Sequence, residues 1–439
     1  LNCVANFDLA SENHLRGSSG EYSDEIIFNT RLITDYTESI SNRVLSIDDI
    51  SGQFNNNPRS TPYADVTRNR LTDSRVQKFI TFISDRLYTT ERQIIVNTVL
   101  TDSGRGLAMI NSYGAVDTVL DLGTFDYAID GAEGVLRFYP NKYKLNNYNV
   151  VTWQYNLDGL GITNSLAAIG STTLGTSTSS SVGDLVSVAT TNVFANAGIA
   201  KTFLTLAGIG TTTKSNTRSA KIMVQVESSN DNEIEYDELN LIHDGTNVEV
   251  VEYGQLSIHS VNDPYSSAGN LGTYHAFLDG SDIKLTYTPV AGITTARVSA
   301  LTVGISSEDY VGVGTYDLSF GQMVTKSTTI ASSGSPSAVG IASYTDDYDA
   351  AYGIVQISDT TNSKYELVEV LIVDDGTTVS LTEYGQVDTF SGTSTNVSGL
   401  GTIGAQRTNS VTELIFTPAA SINVSVKTFL NNLRIEQDT

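Results

Sequence analysis

Cysteine occurs once in 439 residues, at Cys3, so no intrachain disulfide and no cysteine metal cluster can form. The fold must rest on hydrophobic burial alone. Charge is sparse too: Asp, Glu, Lys and Arg make up 17 % of the chain, against about 25 % in an average globular protein. Basic residues are the scarcer kind, 25 against 49 acidic ones, for a formal charge of −24. That charge is uneven, because residues 1–150 carry 14 basic and 19 acidic side chains and the rest holds −19. Such a surface repels phosphate backbones, whose neutralisation drives nucleic-acid binding. No nucleic-acid partner is expected. No run of about eighteen apolar residues exists, so no helical membrane span or membrane insertion is expected either. The most apolar long stretch, 185–210, is interrupted by Thr, Asn and Lys201. No charged-then-apolar leader opens the chain, and its first residue is Leu1. The expectation is a processed chain or a piece of a longer one.

Serine, threonine, asparagine and glycine supply the polarity, together with 22 tyrosines, a mix suited to half-buried pleated surfaces. One spaced signature occurs three times. Leu122-Gly123-Thr124, Leu271-Gly272-Thr273 and Leu400-Gly401-Thr402 each precede a proline at a fixed distance, Pro140, Pro289 and Pro418. Between them, at matched offsets, lie Leu136, Leu285 and Leu414, and two residues later Phe138, Tyr287 and Phe416. A Tyr-Gly pair precedes each block: Tyr113-Gly114, Tyr253-Gly254 and Tyr384-Gly385. The chain is therefore read as one duplicated module, a reading that has to precede any other inference about the fold.

Each module reads as β-structure. Strand-like runs flank Asp244-Gly245 and Asp375-Gly376, a strong hairpin signal; Asp102-Ser103-Gly104 is the first-module counterpart. A second hairpin follows each Leu-Gly-Thr, turning at Asp130-Gly131, Asp279-Gly280 and Thr408-Asn409. The leucine and the ring two positions on share one strand face and are expected in the core, and the proline closes the strand. The tyrosine of each Tyr-Gly pair is read as packing rather than as a surface binding residue. Upstream, 183–191 aligns with 321–329, with Ser51-Gly52-Gln53-Phe54 as the first-module equivalent. Glu38–Asp49 fits either a short helix or a strand. With turn signals every 8–12 residues, the expected fold class is all-β, a tandem array of β-sandwich modules joined by Gly/Ser/Thr-rich linkers.

The boundaries follow. Residues 1–50 form an N-terminal segment; Glu25–Thr30 resembles Glu413–Pro418 and suggests the end of an upstream module. Residues 51–157 form module 1, 158–216 a Gly/Ser/Thr-rich linker with some strand, 217–306 module 2, 307–350 a linker with strand, and 351–439 module 3. Residues 76–157, 218–306 and 352–436 are expected to share one strand order. The linkers suit an extended array.

No catalytic, cofactor-binding or metal-ligating residue is assigned. His14, His243, His259 and His275 show no metal spacing. There is no Gly-x-Ser-x-Gly elbow and no phosphate-binding loop. The acidic clusters Asp346-Asp347-Tyr348-Asp349 and Ser228–Glu233 lack the spacing of a calcium loop and are read as solvated charge. No carboxylate pair stands out for glycoside hydrolysis. The run containing Arg59, Arg68, Arg70 and Arg75 is read as docking on the acidic face of a neighbouring subunit, with local charge balance as the alternative.

One resemblance carries a biological expectation. The stretch Thr34–Ser60, with Glu91-Arg92-Gln93, Leu122–Asp126 and Arg137–Pro140, resembles a sequence found in virion structural proteins of marine cyanophages with contractile tails. It covers residues 25–157; the remainder joins it only through the internal duplication. The resemblance implies a virion component of tail, fibre or head surface, working by assembly and adhesion, without catalytic residues or cofactors. The partners it implies are other copies of the chain, other virion proteins and, for adhesion, a host-surface glycan. The alternatives from the residues alone are an extracellular glycan-binding adhesin and, third, a polysaccharide-degrading enzyme.

Overall fold

A computed structural model describes residues 37–45, 63–70, 75–85, 88–102, 105–119, 121–141, 148–157, 172–173, 186–207, 217–228, 233–258, 271–307, 312–318, 321–331, 334–359, 361–389, 399–419 and 422–433. Among these residues every regular element is a strand. Module 1 contains β1 (Thr37–Leu45), β2 (Ala64–Arg70), β3 (Val76–Asp85), β4 (Arg92–Asp102), β5 (Leu107–Asp117), β6 (Gly123–Asp130), β7 (Glu133–Pro140) and β8 (Tyr148–Leu157). Module 2 contains β9 (Thr172–Thr173), β10 (Val186–Asn196), β11 (Lys201–Ala207), β12 (Thr217–Ser228), β13 (Ile234–His243), β14 (Val248–Ile258), β15 (Gly272–Asp279), β16 (Asp282–Pro289) and β17 (Thr295–Ser306). Module 3 contains β18 (Gly312–Leu318), β19 (Gly321–Ile330), β20 (Val339–Thr345), β21 (Ala350–Asp359), β22 (Lys364–Asp374), β23 (Val379–Asp388), β24 (Gly401–Thr408), β25 (Val411–Pro418) and β26 (Val424–Leu433).

The same strand order recurs three times. The large sheets run β1-β8-β3-β4-β5, β10-β17-β12-β13-β14 and β19-β26-β21-β22-β23, and the small sheets β2-β7-β6, β11-β16-β15 and β20-β25-β24. β9 and β18 add an outer strand beside β10 and β19. Each small sheet covers one face of its large sheet, and a separate apolar core fills each gap. Leu136 and Phe138, Leu285 and Tyr287, and Leu414 and Phe416 are all buried there, as the signature predicts.

The sheets reach further upstream than the module bounds read from the sequence. β10 and β11 lie in the segment taken as the first linker, yet they pair with β17 and β16 of module 2. β18, β19 and β20 lie in the second linker and belong to module 3. β1 pairs with β8 and so belongs to module 1, which also decides the Glu38–Asp49 segment as strand as far as Leu45. Gly, Ser and Thr in these stretches suit half-exposed edge strands as well as linkers, so composition alone could not separate the two. The pairing also makes Ile40, Thr190 and Thr325 equivalent, opposite Trp153, Leu301 and Phe429, which moves the alignment of 183–191 with 321–329 read from the sequence by three residues. The first strand of module 1 is thus Thr37–Leu45 rather than the Ser51–Phe54 stretch, which lies outside the described residues, as does Glu25–Thr30.

Local geometry explains the signature. The residue after each proline donates its N–H to the carbonyl of the signature leucine: Asn141 to Leu122 (2.8 Å), Val290 to Leu271 (2.9 Å) and Ala419 to Leu400 (2.8 Å). The glycine pairs with the proline across the hairpin, and a side chain there would strike the buried ring. A Cβ on Gly123 would stand 2.6 Å from Phe138 Cε2, one on Gly272 2.6 Å from the Tyr287 hydroxyl, and one on Gly401 2.8 Å from Phe416 Cε2. The leucine N–H is held by the same strand position in every module: Gln93 Oε1 (3.2 Å), Glu235 Oε2 (2.8 Å) and Glu366 Oε2 (3.2 Å) accept from Leu122, Leu271 and Leu400.

The Tyr-Gly pairs mark β-bulges. Gly114, Gly254 and Gly385 have φ of 62°, 66° and 61°, the left-handed region glycine enters at little cost. The ladders shift register there, opposite Ile95, Asp237 and Val368. Such bulges bend the strand and re-aim its side chains.

The modules are not strung out. The outer faces of the three large sheets pack on one another, and a fourth apolar core draws on all three, including Ile80, Val96 and Trp153, Met223, Tyr236 and Leu301, and Ile354, Leu367 and Phe429. β5, β14 and β23 touch pairwise around a common axis. This corrects the expectation of an extended array. Central strands such as β3, β13 and β22 are buried on both faces, which is why their sequences alternate only loosely.

Candidate functional site

The densest chemistry lies on that axis. Tyr113, Tyr253 and Tyr384 meet edge to face, with ring centroids 6.3 Å (113–253), 6.3 Å (253–384) and 5.8 Å (113–384) apart. The bulges deliver them there. Beneath the rings sit two lysines and two glutamates, all four essentially excluded from solvent. Lys78 Nζ lies 2.9 Å from Glu238 Oε2 and 3.7 Å from Glu369 Oε2. Lys221 Nζ lies 3.0 Å from Glu369 Oε1 and also pairs with Glu238. Further donors converge on the two carboxylates: Tyr236 donates to Glu238 (2.8 Å), Tyr352 to Glu369 (2.6 Å), Asn240 to Glu369 (3.0 Å), and Tyr113 to Glu238. Lys221 stands 4.1 Å over the Tyr253 ring and Lys78 5.1 Å over that of Tyr352. Burial pulls both lysines downward, but Glu238 and Glu369 outweigh it and hold them above their ordinary range. Burial likewise opposes the charge on Glu238, and Lys221 and Lys78 overcome it and hold that carboxyl well below the usual range.

Register shows how these groups arose from the repeat. Ile80, Met223 and Ile354 pair with Val96, Glu238 and Glu369, so these are equivalent positions. Two residues earlier on the same strands stand Lys78, Lys221 and Tyr352. Module 1 therefore brings a lysine without a glutamate, module 2 brings both, and module 3 brings a glutamate without a lysine. Burying ions costs several kcal/mol each unless they are paired and hydrogen-bonded. Here they are both.

The periphery uses one further equivalent position, held by Arg75, Arg218 and Asp349, five residues before Ile80, Met223 and Ile354. Arg218 of module 2 lies 4.0 Å over the ring of Tyr365 in module 3. Asp349 of module 3 pairs with Arg92 of module 1 at 2.6 Å. Arg75 of module 1 reaches Glu227 of module 2 at 3.5 Å. Each module thus grips the next, and the last grips the first.

A second cluster lies inside module 2, between its sheets. Glu235 and Asp237 are fully buried. Glu235 Oε1 and Asp237 Oδ1 are buried without a hydrogen-bond partner, an arrangement that favours the protonated carboxyl. Tyr274 donates to Asp237 Oδ2 at 2.6 Å. Burial, with the neighbouring carboxyl, pushes Glu235 far up, and burial raises Asp237 less.

The residues singled out from the sequence fall elsewhere. His243 is buried, donates Nε2–H to the Thr217 carbonyl (2.8 Å) and turns Nδ1 toward Arg218 (3.4 Å). Burial and Arg218 lower it to about 4. His275 is exposed and stacks on Phe277. Asp349 and Asp346 are spent on Arg92 and Arg407, and Asp347 accepts from Thr345 (2.8 Å). Arg68 pairs with Asp65 (2.6 Å), Asp130 (3.0 Å) and Glu133 (3.2 Å) of its own module, the local balance that stood as the alternative to docking. His14, His259, Asp231 and Arg59 lie outside the described residues. Among the described residues no group of three or more His, Cys, Asp or Glu side chains is arranged to hold a metal ion, and no helix is long and apolar enough to cross a membrane. The axial lysines and glutamates escaped sequence reading because each looks like one charge in a strand; only comparison of the repeats at equivalent positions exposes them. Comparison with known proteins gives no match to a family model, a curated protein or a solved structure.

Proposed function

We propose that this protein is a non-catalytic structural component of a phage virion, in the tail, a fibre or the head surface, acting through assembly with other virion proteins. The observation that carries the reading is the resemblance of residues 25–157 to virion proteins of cyanophages with contractile tails. The architecture supports it. The three modules pack into one block, and the ionised groups at the centre are committed to one another rather than to a solvent-facing cleft. Contacts with other copies of the chain would use the outer faces of the block, because the faces around the axis are already covered.

Mass spectrometry of gradient-purified particles tests the reading. The chain should co-purify with infectious particles at a fixed copy number relative to the major structural proteins. Its absence from such particles, with its presence in the host envelope or medium, would favour the adhesin. That second reading draws on exposed apolar side chains, Tyr88 at 51 % and Phe194 at 57 % exposure, and glycan-array binding by the purified protein would support it.

A further inference from the structure

We propose that the buried axial charges act as a composition key, so that a three-module block closes only when modules 1 and 3 are present in equal number, as they are within one chain. The count is direct. Module 1 brings Lys78 with a neutral Val96 in the glutamate position, a charge of +1. Module 2 brings Lys221 and Glu238, a charge of 0. Module 3 brings Glu369 with Tyr352 in the lysine position, a charge of −1. Two closed combinations sum to zero: one of each module, or three of module 2. A block in which modules 1 and 3 are unequal in number would bury an unpaired charge beneath the axial tyrosines.

A repeat protein needs such a device. Its modules share one strand order and one packing face, so the face of one chain offers a template for the modules of another, the hazard behind domain swapping and misassembly in repeat proteins. A buried polar element that excludes wrong partners at some cost in stability is an established use of such groups in coiled coils. The peripheral contacts add direction. Reversing the cyclic order would set Arg218 against Arg92, whereas the observed order gives Arg218 to Tyr365 and Arg92 to Asp349. The proposal stands independently of the virion reading.

The test uses the full chain and two charge-compensated pairs. Lys78→Met, Glu369→Gln, Val96→Glu and Tyr352→Lys each unbalance the axis by one charge. K78M/E369Q and V96E/Y352K each restore zero. Each single variant should lower the Tm by more than about 5 °C, as expected for an unpaired buried charge, and should shift material into oligomers on size exclusion with light scattering after refolding. Each double should recover at least half of the summed Tm loss, but because it leaves every module neutral, so that any combination of modules sums to zero, it should still refold into oligomers. If V96E/Y352K is prevented from folding by side-chain volume, K78M/E369Q, which only shortens or neutralises groups, decides. A K78M/E369Q protein whose Tm loss equals the sum of its singles, or which refolds to a single monomeric species as its parent does, overturns the key.

Discussion

Replacing Gly272 by alanine separates a steric from a conformational account of the Leu-Gly-Thr signature. Gly272 is not in the left-handed region, so alanine is allowed there, and restriction of the unfolded chain should return about 0.4–1 kcal/mol. Against that gain, the new Cβ would stand 2.5 Å from the Thr288 carbonyl oxygen and 2.6 Å from the Tyr287 hydroxyl oxygen. Neither obstacle can move away, because the carbonyl is part of the β15–β16 hairpin and the ring is fully buried. Overpacking of a tight core costs about 1–3 kcal/mol; with backbone as one obstacle the upper end applies, and the net loss should be about 2 kcal/mol. Gly280 is the control. Its φ is 64° and nothing lies within 4 Å of the Cβ position, so alanine there meets only the left-handed penalty of about 1–2 kcal/mol. Urea unfolding should rank the two, and a Tyr287→Leu background should relieve part of the Gly272→Ala loss while leaving that of Gly280→Ala unchanged. Hydrogen exchange should place the Gly272→Ala loss in 271–289. A Gly272→Ala protein as stable as its parent would refute the steric account, and with it the explanation of why glycine and ring recur together.

Leu285→Ala should cost about 2–5 kcal/mol by urea unfolding, the range for a fully buried leucine; a loss below about half a kcal/mol would place Leu285 outside the core. Glu235 and Asp237 have folded proton affinities above their unfolded ones, so their contribution is full below the carboxylate range and falls as pH rises. Glu235→Gln supplies a permanent donor and should raise stability at pH 8 by about 1 kcal/mol or more, with little change at pH 4; equal effects at both would exclude a raised proton affinity at Glu235. His243 works in the opposite sense: its folded value, about 4, lies below the unfolded one of roughly 6.5, so stability is full above that value and falls as pH drops toward 4. His243→Gln should flatten the Tm profile between those limits. Chelation should leave the Tm nearly unchanged, because Asp346 and Asp349 already have arginine partners; a drop of more than about 10 °C, beyond the roughly 2–8 °C per kcal/mol expected, would reveal a structural ion.

The repeat and the hairpins were legible because each rests on short-range rules: a left-handed turn at Gly131, Gly280 or Asn409, and a glycine forced by a ring across one ladder. Register of the first two strands in each module was not. β10 and β11 owe their place to partners about a hundred residues away, and nothing local in a Ser/Thr/Gly run distinguishes a paired edge from a tether. Closure of the modules into one block was hidden for a related reason. A strand buried on both faces loses the clean alternation that marks a half-exposed one, so β13 and β22 look irregular in sequence where they are most enclosed. The tyrosine of the Tyr-Gly pair was read correctly as packing, but the surface it packs against belongs to the other modules.

The positions where the repeats agree and those where they differ carry separate information. Leu136, Leu285 and Leu414 agree because each module must fill the same gap between its own two sheets. Lys78, Lys221 and Tyr352 differ although they occupy one structural position, and so do Val96, Glu238 and Glu369. A homotrimer could not differ there, since one sequence would serve all three places; joining the modules in one chain removes that restriction and lets each interface be written separately. The resulting centre is neutral, asymmetric and dry. Its cost is desolvation, and its return is that the three modules are no longer interchangeable, which modules sharing one strand order and one packing face would otherwise have no means to enforce.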